Sequence, residues 1–430
     1  MSGVSGASAR DTVTGKSMPA GVHGSTLVER CQACGSTSLA SLLFLGYLPP
    51  VNTMTPIGAR TGQPAYPAEV LHCRACELVQ LGLVVDPAVM FPPDYAYTSG
   101  TTRILRENFA ELYREVLDLF PIGKDDLVVD IGSGDGTLLG NFLRGGFRVC
   151  GVEPTNASRI AVTAGITTLN TFFTPDSARE LLRVHGRARM VTAANVFAHI
   201  GDVHAVLDSV DELLTDDGLF VSESHDLVAL IDTLQYDAIY HEHLRYYSLT
   251  SLGRLLDRHG FEIVHTKRIP THGGSIRVYA ARKGTRPVTP AVGELLALEQ
   301  AALTPETFAG FRRRVSASKL DLMALLRDIR HTGARVYGVG APSRASALIN
   351  YVGIDELIVD CVVEISGSCK IGKYMPGTLI PVLDEQKLFD DQPEYAMLLS
   401  WHIGEELAAK LRQLGYRGQF IVPLPTPRIL

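Results

Sequence analysis

A chain of 430 residues is too long for a single hydrophobic core, because single domains stop growing near roughly 250 residues. Its hydrophobic content of 46% with 20% charge is that of an ordinary globular enzyme, and no apolar run approaches the ~20 residues that span a bilayer. A formal net charge of −6 excludes the broad basic footprint that nucleic acid demands, while local positive groups can still hold a small anion.

Residues 1–25 are small, polar and Gly-rich, with neither the apolar core nor the cleavage pattern of a secretion signal, and read as a disordered tail. The seven cysteines are accordingly expected as reduced thiols, and the compartment as the cytoplasm. Four of them form two pairs, "CQAC" (Cys31, Cys34) and "CRAC" (Cys73, Cys76). Each pair can set two thiolates on one turn, and together they complete a tetrahedral zinc shell. A redox role would want a βαβ pattern beside the CxxC, which is missing. Four sulfur ligands leave no position open for water, so the zinc is expected to be structural, stapling a small domain over 26–92.

From Thr102 to Phe120 the apolar residues Leu105, Phe109, Leu112, Val116 and Phe120 recur at helical spacing. The period then changes to a strand, a Gly-rich turn and a helix in "DLVVDIGSGDGTLLGNFLRGG", followed by the strand "FRVCGVEP". Asp130 ends the first strand, and Gly132, Gly134 and Gly136 follow at alternating positions. Glycines let a bound nucleoside approach the backbone, and a carboxylate at a strand end can hydrogen-bond ligand groups. Glu153 closes the second strand, where an acidic residue takes ribose hydroxyls. NAD and S-adenosylmethionine (SAM) both fit so far. A dinucleotide fingerprint wants Gly or Ala where this chain has Thr137. The acidic D-x-G-x-G-x-G start instead resembles motif I of class I SAM-dependent methyltransferases. SAM is the expected cofactor; an NAD-dependent enzyme or a non-catalytic nucleotide-binding protein is the alternative.

Strands at "ARMVTAAN", "GLFVSES" and "SIRVYAAR", separated by helical patterns such as "VHAVLDSVDELLTDDG", extend this to an α/β, doubly wound, mostly parallel sheet over 93–285. Between about Thr285 and Gly333 the pattern is helical, and a boundary is expected there. A second, Rossmann-like unit then opens with "ARVYGVG", the turn "APSR" and the helix "ASALINYVG", giving a domain over 286–430. Exposed amides at that helix start would suit phosphate, with Lys370 and Lys373 adding positive charge, and packing alone explains the turn equally well.

The stretch "YDAIYHEHLRYYS", residues 236–248, is open to three readings. As a helix it sets Tyr236, Tyr240, His243 and Tyr247 on one face and turns His241 elsewhere, which suits one wall of a proton-transfer site. As a metal site it would use His241 and His243, but the spacing is not H-E-x-x-H and no third ligand is placed. The plainest reading is a solvated helix with buried tyrosines.

Taken in order, two CxxC pairs, a SAM motif, "IYHEHLRYYS", "HGGSIRVYAAR", "VYGVGAPSRASALINYVGI" and "KIGKYMPGTLIPV" resemble one family, and the match covers nearly everything after the tail. The chain resembles the three-domain, zinc-containing nucleotide-sugar C-methyltransferases of antibiotic deoxysugar pathways. The resemblance implies a zinc domain, a SAM-binding domain and a C-terminal Rossmann-like domain around a nucleotide-linked (dTDP) 4-keto-6-deoxysugar. Methyl is added beside the ketone, usually at C3. Carried onto matching positions, it makes His243 the general base, with Glu242 beside it and Tyr240 nearby. It turns Asn195 and His199 of "ANVFAHI" toward the sugar and its diphosphate, Asn195 also bordering the cofactor. One tyrosine of "DYAYTSG", Tyr95 or Tyr97, reaches in from the domain junction. Several members carry Asp before the Glu-His pair, where this chain has His241. His272 and Arg277 of "HGGSIR" are candidates for substrate contact, and a hairpin with an exposed basic residue explains them nearly as well. A zinc-ribbon methyltransferase acting on nucleic acid is the other alternative, opposed by the negative charge balance.

Overall fold

In the computed structural model residues 24–59, 62–91, 100 and 102–430 are described; the tail expected over 1–25 lies almost wholly outside them. The N-terminal strands are β1 (Ser25–Leu27), β2 (Leu39–Leu48), β3 (Tyr66–Cys73), β4 (Val79–Leu81) and β5 (Leu83–Val85). β2, β3 and β4 pair antiparallel, and β1 pairs with β5. The helix Arg103–Leu119 follows and buries Leu105, Phe109, Leu112 and Val116, the stripe its periodicity predicts.

The central sheet takes β6 (Leu127–Ile131), β7 (Arg148–Val152), β8 (Thr167–Leu169), β9 (Ala188–Ala194) and β10 (Leu214–His225). The two-residue β11 (Arg245–Tyr246) leaves it, and β12 (Phe261–Ile269) and β13 (Ser275–Arg282) return. The order is β12-β13-β10-β9-β6-β7-β8, parallel from β10 to β8 and antiparallel at β13 and β12. All five residues of β6 are buried, because helices cover both faces of a doubly wound sheet. The chain moves outward from β6 to β7 and then crosses to β9 on its other side, so the carboxyl end of β6 is a topological switch point, where such sheets open a ligand crevice.

Helices Pro290–Ala302 and Pro305–His331 lead to β14 (Val336–Val339), β15 (Cys361–Glu364), β16 (Val382–Asp384), β17 (Tyr395–Leu398), β18 (Gln419–Val422) and β19 (Arg428–Ile429). Their order, β16-β15-β14-β17-β18-β19, makes a second switch point after β14. The helix Pro290–Ala302 packs on β12, and its Glu299 accepts the Thr250 amide at 2.9 Å, capping the helix Leu249–Asp257.

The N-terminal sheet is too small to bury a core alone, and it borrows two. Leu39, Leu71, Cys73 and Leu78 join a cluster with Leu127, Val129 and Val191 of the central sheet. Leu42, Leu45, Leu48 and Val70 join another with Phe311, Val315, Leu322 and Leu348. Among the described residues, no helix is long and apolar enough to cross a membrane.

Candidate active site

At the end of β6, Asp130 is buried and accepts the Thr192 hydroxyl of β9 at 2.6 Å; burial is the main cause that pushes its carboxyl up to about 7. Gly132 has φ +67°, and a Cβ there would come within 2.6 Å of Val196. Gly136, at φ +80°, starts the helix Thr137–Arg144 in the left-handed region, against Ile166. Both positions need glycine. Glu153, just past β7, accepts the Gly134 amide at 2.9 Å and the Thr155 amide at 2.8 Å. A carboxylate has about four acceptor positions, so room remains for ribose hydroxyls. Ser133 Oγ is buried in the same turn with no partner among the described residues. The acid, the close backbone and the orphaned hydroxyl fit the nucleoside of SAM.

Residues 236–248 are not a helix. Only Tyr236–Ala238 makes a single 3-10 turn, and the chain then runs through turns into β11. The shared helical face is therefore corrected. Tertiary pairing overrides local periodicity: Arg245 and Tyr246 pair with Gln80 and Val79 of β4, making β11 an edge of the N-terminal sheet. Tyr247 stacks on Phe197 and Tyr236 meets Tyr351, while Tyr240 stays beside His243 with ring centroids 4.1 Å apart.

His243 Nδ1 lies 2.6 Å from the Ala238 carbonyl oxygen. A carbonyl only accepts, so in the neutral ring Nδ1 carries the proton and Nε2 the lone pair. Burial, followed by the neighbouring His199, holds the His243 imidazole well below its ordinary value. His199 is 4.9 Å from it, stacked on Phe91 at 5.8 Å, and burial brings His199 down to about 4. The buried Arg245 guanidinium donates to the Ile200 and Gly201 carbonyls at 2.7 and 2.8 Å, and the Leu244 amide donates to Ala198 at 3.0 Å. The loop after β9 is thereby fastened to the coil. At the head of that loop Asn195 adopts φ 59° and its backbone N–H donates to the Glu223 backbone carbonyl at 2.9 Å. Glu242 is buried and accepts from Asn52 Nδ2 at 2.8 Å; Asn52 Oδ1 in turn accepts from Ser343 at 3.0 Å, tying all three parts of the chain together.

The rings of His243, Tyr240 and His199 thus converge, the Glu242 carboxylate is turned to Asn52, and His241 does not join them. Its Nε2 donates to Pro67 at 3.2 Å and its ring rests on Tyr66, which leaves the two-histidine metal site without geometry. Arg277 is corrected as well: its side chain is 0% exposed and saturated by Glu223, Glu115 and Asn108, so it is neither an exposed hairpin residue nor open to substrate. His272 sits at a left-handed φ of 56°, with Nε2 buried and without a hydrogen-bond partner among the described residues. Lys370 Nζ donates to the Ala341 carbonyl at 2.7 Å, inside the turn after β14, whereas Lys373 accepts the Val382 amide through its backbone. Tyr95 and Tyr97 lie outside the described residues.

Four participants escaped sequence reading. His225 ends β10 with its ring 4.8 Å from His243 and 5.7 Å from His272; its position at the carboxyl end of a parallel strand was the available signal. Asn52, Asp237 and Trp401 carry no local signal, since each acquires its role from a distant partner.

The Sγ atoms of Cys31, Cys34, Cys73 and Cys76 all lie within 4.8 Å of one another, with 3.4 Å between Cys31 and Cys76 and 3.6 Å between Cys34 and Cys73. Zinc–sulfur bonds of about 2.3 Å require tetrahedron edges of about 3.8 Å, which these separations fit.

Family models match in chain order: a zinc-binding domain over 31–91, a methyltransferase domain over 104–266 and a C-methyltransferase C-terminal domain over 270–425. The C-methyltransferase NovU of Streptomyces niveus is 33% identical over 409 residues, covering 94% of this chain and 97% of that protein. Among solved structures, the magnesium protoporphyrin IX methyltransferase of Synechocystis with bound SAH is 16% identical over 41% of this chain and 83% of its own, with a TM-score of 0.32. A SAM-dependent methyltransferase from Anabaena variabilis is 17% identical over 42% of this chain and 86% of its own, with a TM-score of 0.34. With the matched domains in order and NovU aligned almost end to end, the chain belongs to the C-methyltransferase family and is a SAM-dependent C-methyltransferase with an N-terminal zinc-binding domain.

Proposed function

We propose that this enzyme methylates a nucleotide-linked, dTDP-type, 4-keto-6-deoxysugar at the carbon beside the ketone, C3, and that His243 is the base. The observation that carries this is the Ala238 hydrogen bond, which leaves His243 Nε2 as an acceptor within a cluster of His199, His225 and Tyr240. Making a carbon–carbon bond needs a carbanion, and a C–H beside a ketone yields one only if its proton is removed while the enolate oxygen is stabilised. Nε2 takes the proton, the C–H electron pair moves onto the enolate, and the Tyr240 hydroxyl or the His199 N–H donates to its oxygen. Burial keeps His243 neutral and also lowers its proton affinity; the imidazolium that forms is offset by the enolate charge created in the same step. Glu242, held by Asn52, orients the coil beside that base.

SAM, when bound, supplies an electrophilic methyl group on a sulfonium centre. Asp130, Gly132, Gly134, Glu153 and Asn195 are assigned to its side of the site, and Tyr95, Tyr97, Asn195, Lys370 and Lys373 to the nucleotide-sugar. The domain limits we assign are 26–92, 93–285 and 286–430. His243→Asn is expected to abolish both deuterium washout from the sugar and product formation while SAH still binds; a fully active variant would exclude this base. Mass spectrometry after incubation with SAM and a panel of nucleotide 4-ketosugars tests the substrate.

A further inference from the structure

The residue before Ala238 is the most heavily held carboxylate in the coil. Asp237, with a side chain 1% exposed, accepts Arg344 Nε at 2.8 Å on Oδ2 and Nη2 at 2.8 Å on Oδ1, and Trp401 Nε1 at 2.7 Å on Oδ2. Arg344 lies 5.2 Å over the Trp401 ring and also donates to Gln235 Oε1 at 3.0 Å, while Gln235 Nε2 donates to the Gly273 carbonyl at 2.7 Å. Both donors to Asp237 come from the C-terminal unit: Arg344 from the first turn of the helix after β14, and Trp401 from the turn after β17. Charge-assisted, bidentate contacts of this kind fix geometry as well as charge. One peptide further on, the Ala238 amide donates to Gln235 at 3.0 Å and the Ala238 carbonyl accepts His243 Nδ1–H at 2.6 Å.

We propose that Asp237, Arg344 and Trp401 are positioning residues: the C-terminal domain grips Asp237 and thereby holds the Ala238 carbonyl that sets the tautomer and direction of the His243 ring. This rests on the reading of His243 as the base. Removal of the substrate proton is then coupled to docking of the C-terminal domain, whatever that domain binds. A contact that served only to glue two domains would not need to converge on the residue adjoining the carbonyl that orients the base.

The test uses the full-length protein with Trp401→Phe, which keeps the ring and removes only the N–H donor, and Arg344→Lys, which removes the fork. In histidine-labelled, ligand-free protein, nitrogen-15 NMR should show His243 as the Nδ1–H tautomer in wild type and a mixture of tautomers in the variants. With a dTDP-linked 4-keto-6-deoxyhexose deuterated beside the ketone, washout kcat should fall on the order of 10- to 100-fold, with KM and SAH affinity close to wild type, because small misplacements of a reacting group are costly. Wild-type tautomer and washout in the variants, or a loss confined to KM, would overturn the proposal. The NMR arm decides it even if that sugar is not turned over. His243→Asn, run alongside, separates the two ideas: retained washout there defeats the base assignment, whereas its loss with unaffected clamp variants defeats only the clamp.

Discussion

His243 is committed twice, to one tautomer by the Ala238 carbonyl and to the neutral state by burial. The groups that face it are His199, His225 and Tyr240, with His272 and Arg344 close enough to oppose a second positive charge. Because its folded value is depressed, the proposed base loses its lone pair only when the pH falls well below the ordinary histidine range of about 6.5. Deuterium washout should therefore stay level from about pH 8 down through 6.5 and fall only beyond that. An acid limb centred at or above 6.5 would mean that a different, solvated group takes the proton. His241 has a packing role of its own: the ring bridges to Pro67 of β3.

At the scale of elements, the coil that carries the proposed base owes its shape to strands from elsewhere in the chain. β11 pairs with β4, which pairs with the Cys73-bearing β3, so the zinc site and the proposed base share one sheet. Because the N-terminal sheet shares its cores with both neighbours, chelating zinc should lower the melting temperature of the whole protein in one transition and abolish washout. An apoprotein with unchanged melting and full activity would contradict this. A second support is the charge cluster behind β10 and β13, where Arg277 is, among the described residues, the one cation donating to the fully buried Glu223. Arg277→Met strands that carboxylate and should cost about 3–5 kcal/mol of stability, read from the urea midpoint. A loss under about 1 kcal/mol would show that Asn108 alone satisfies Glu223.

Across the whole molecule, the N-terminal sheet shares one core with the central sheet and another with the C-terminal unit, so the three parts should unfold together rather than separately. Two buried imidazoles and three half-buried ones make that assembly sensitive to acid: desolvation lowers His199, His241 and His272 to about 4 and holds His225 and His243 well below their ordinary value. The native state then binds fewer protons than the unfolded chain, so stability is full above about pH 6.5 and is lost as the pH falls toward 4, by up to about 1.4 kcal/mol per pH unit for each ring. Urea midpoints at about pH 7.5 and 5.5 check the sign; an equal or higher midpoint at the lower pH would show the rings to be solvated. By itself the sequence determined the strands β6, β7, β9, β10, β13 and β14 with the helices between them, the four cysteines of the zinc site, the glycine turn with Asp130 and Glu153, and the residue types at 240–243. Those features are written in spacing, and spacing is local. It could not determine that residues 236–248 form a coil rather than a helix, that Arg277 is sealed inside, or that Asn52, His225, Arg344 and Trp401 come to the site. Pairing with β4, burial between sheets and docking of the C-terminal domain decided these, because each is a contact between segments far apart in the chain, whose free energy outweighs the preference of any one of them.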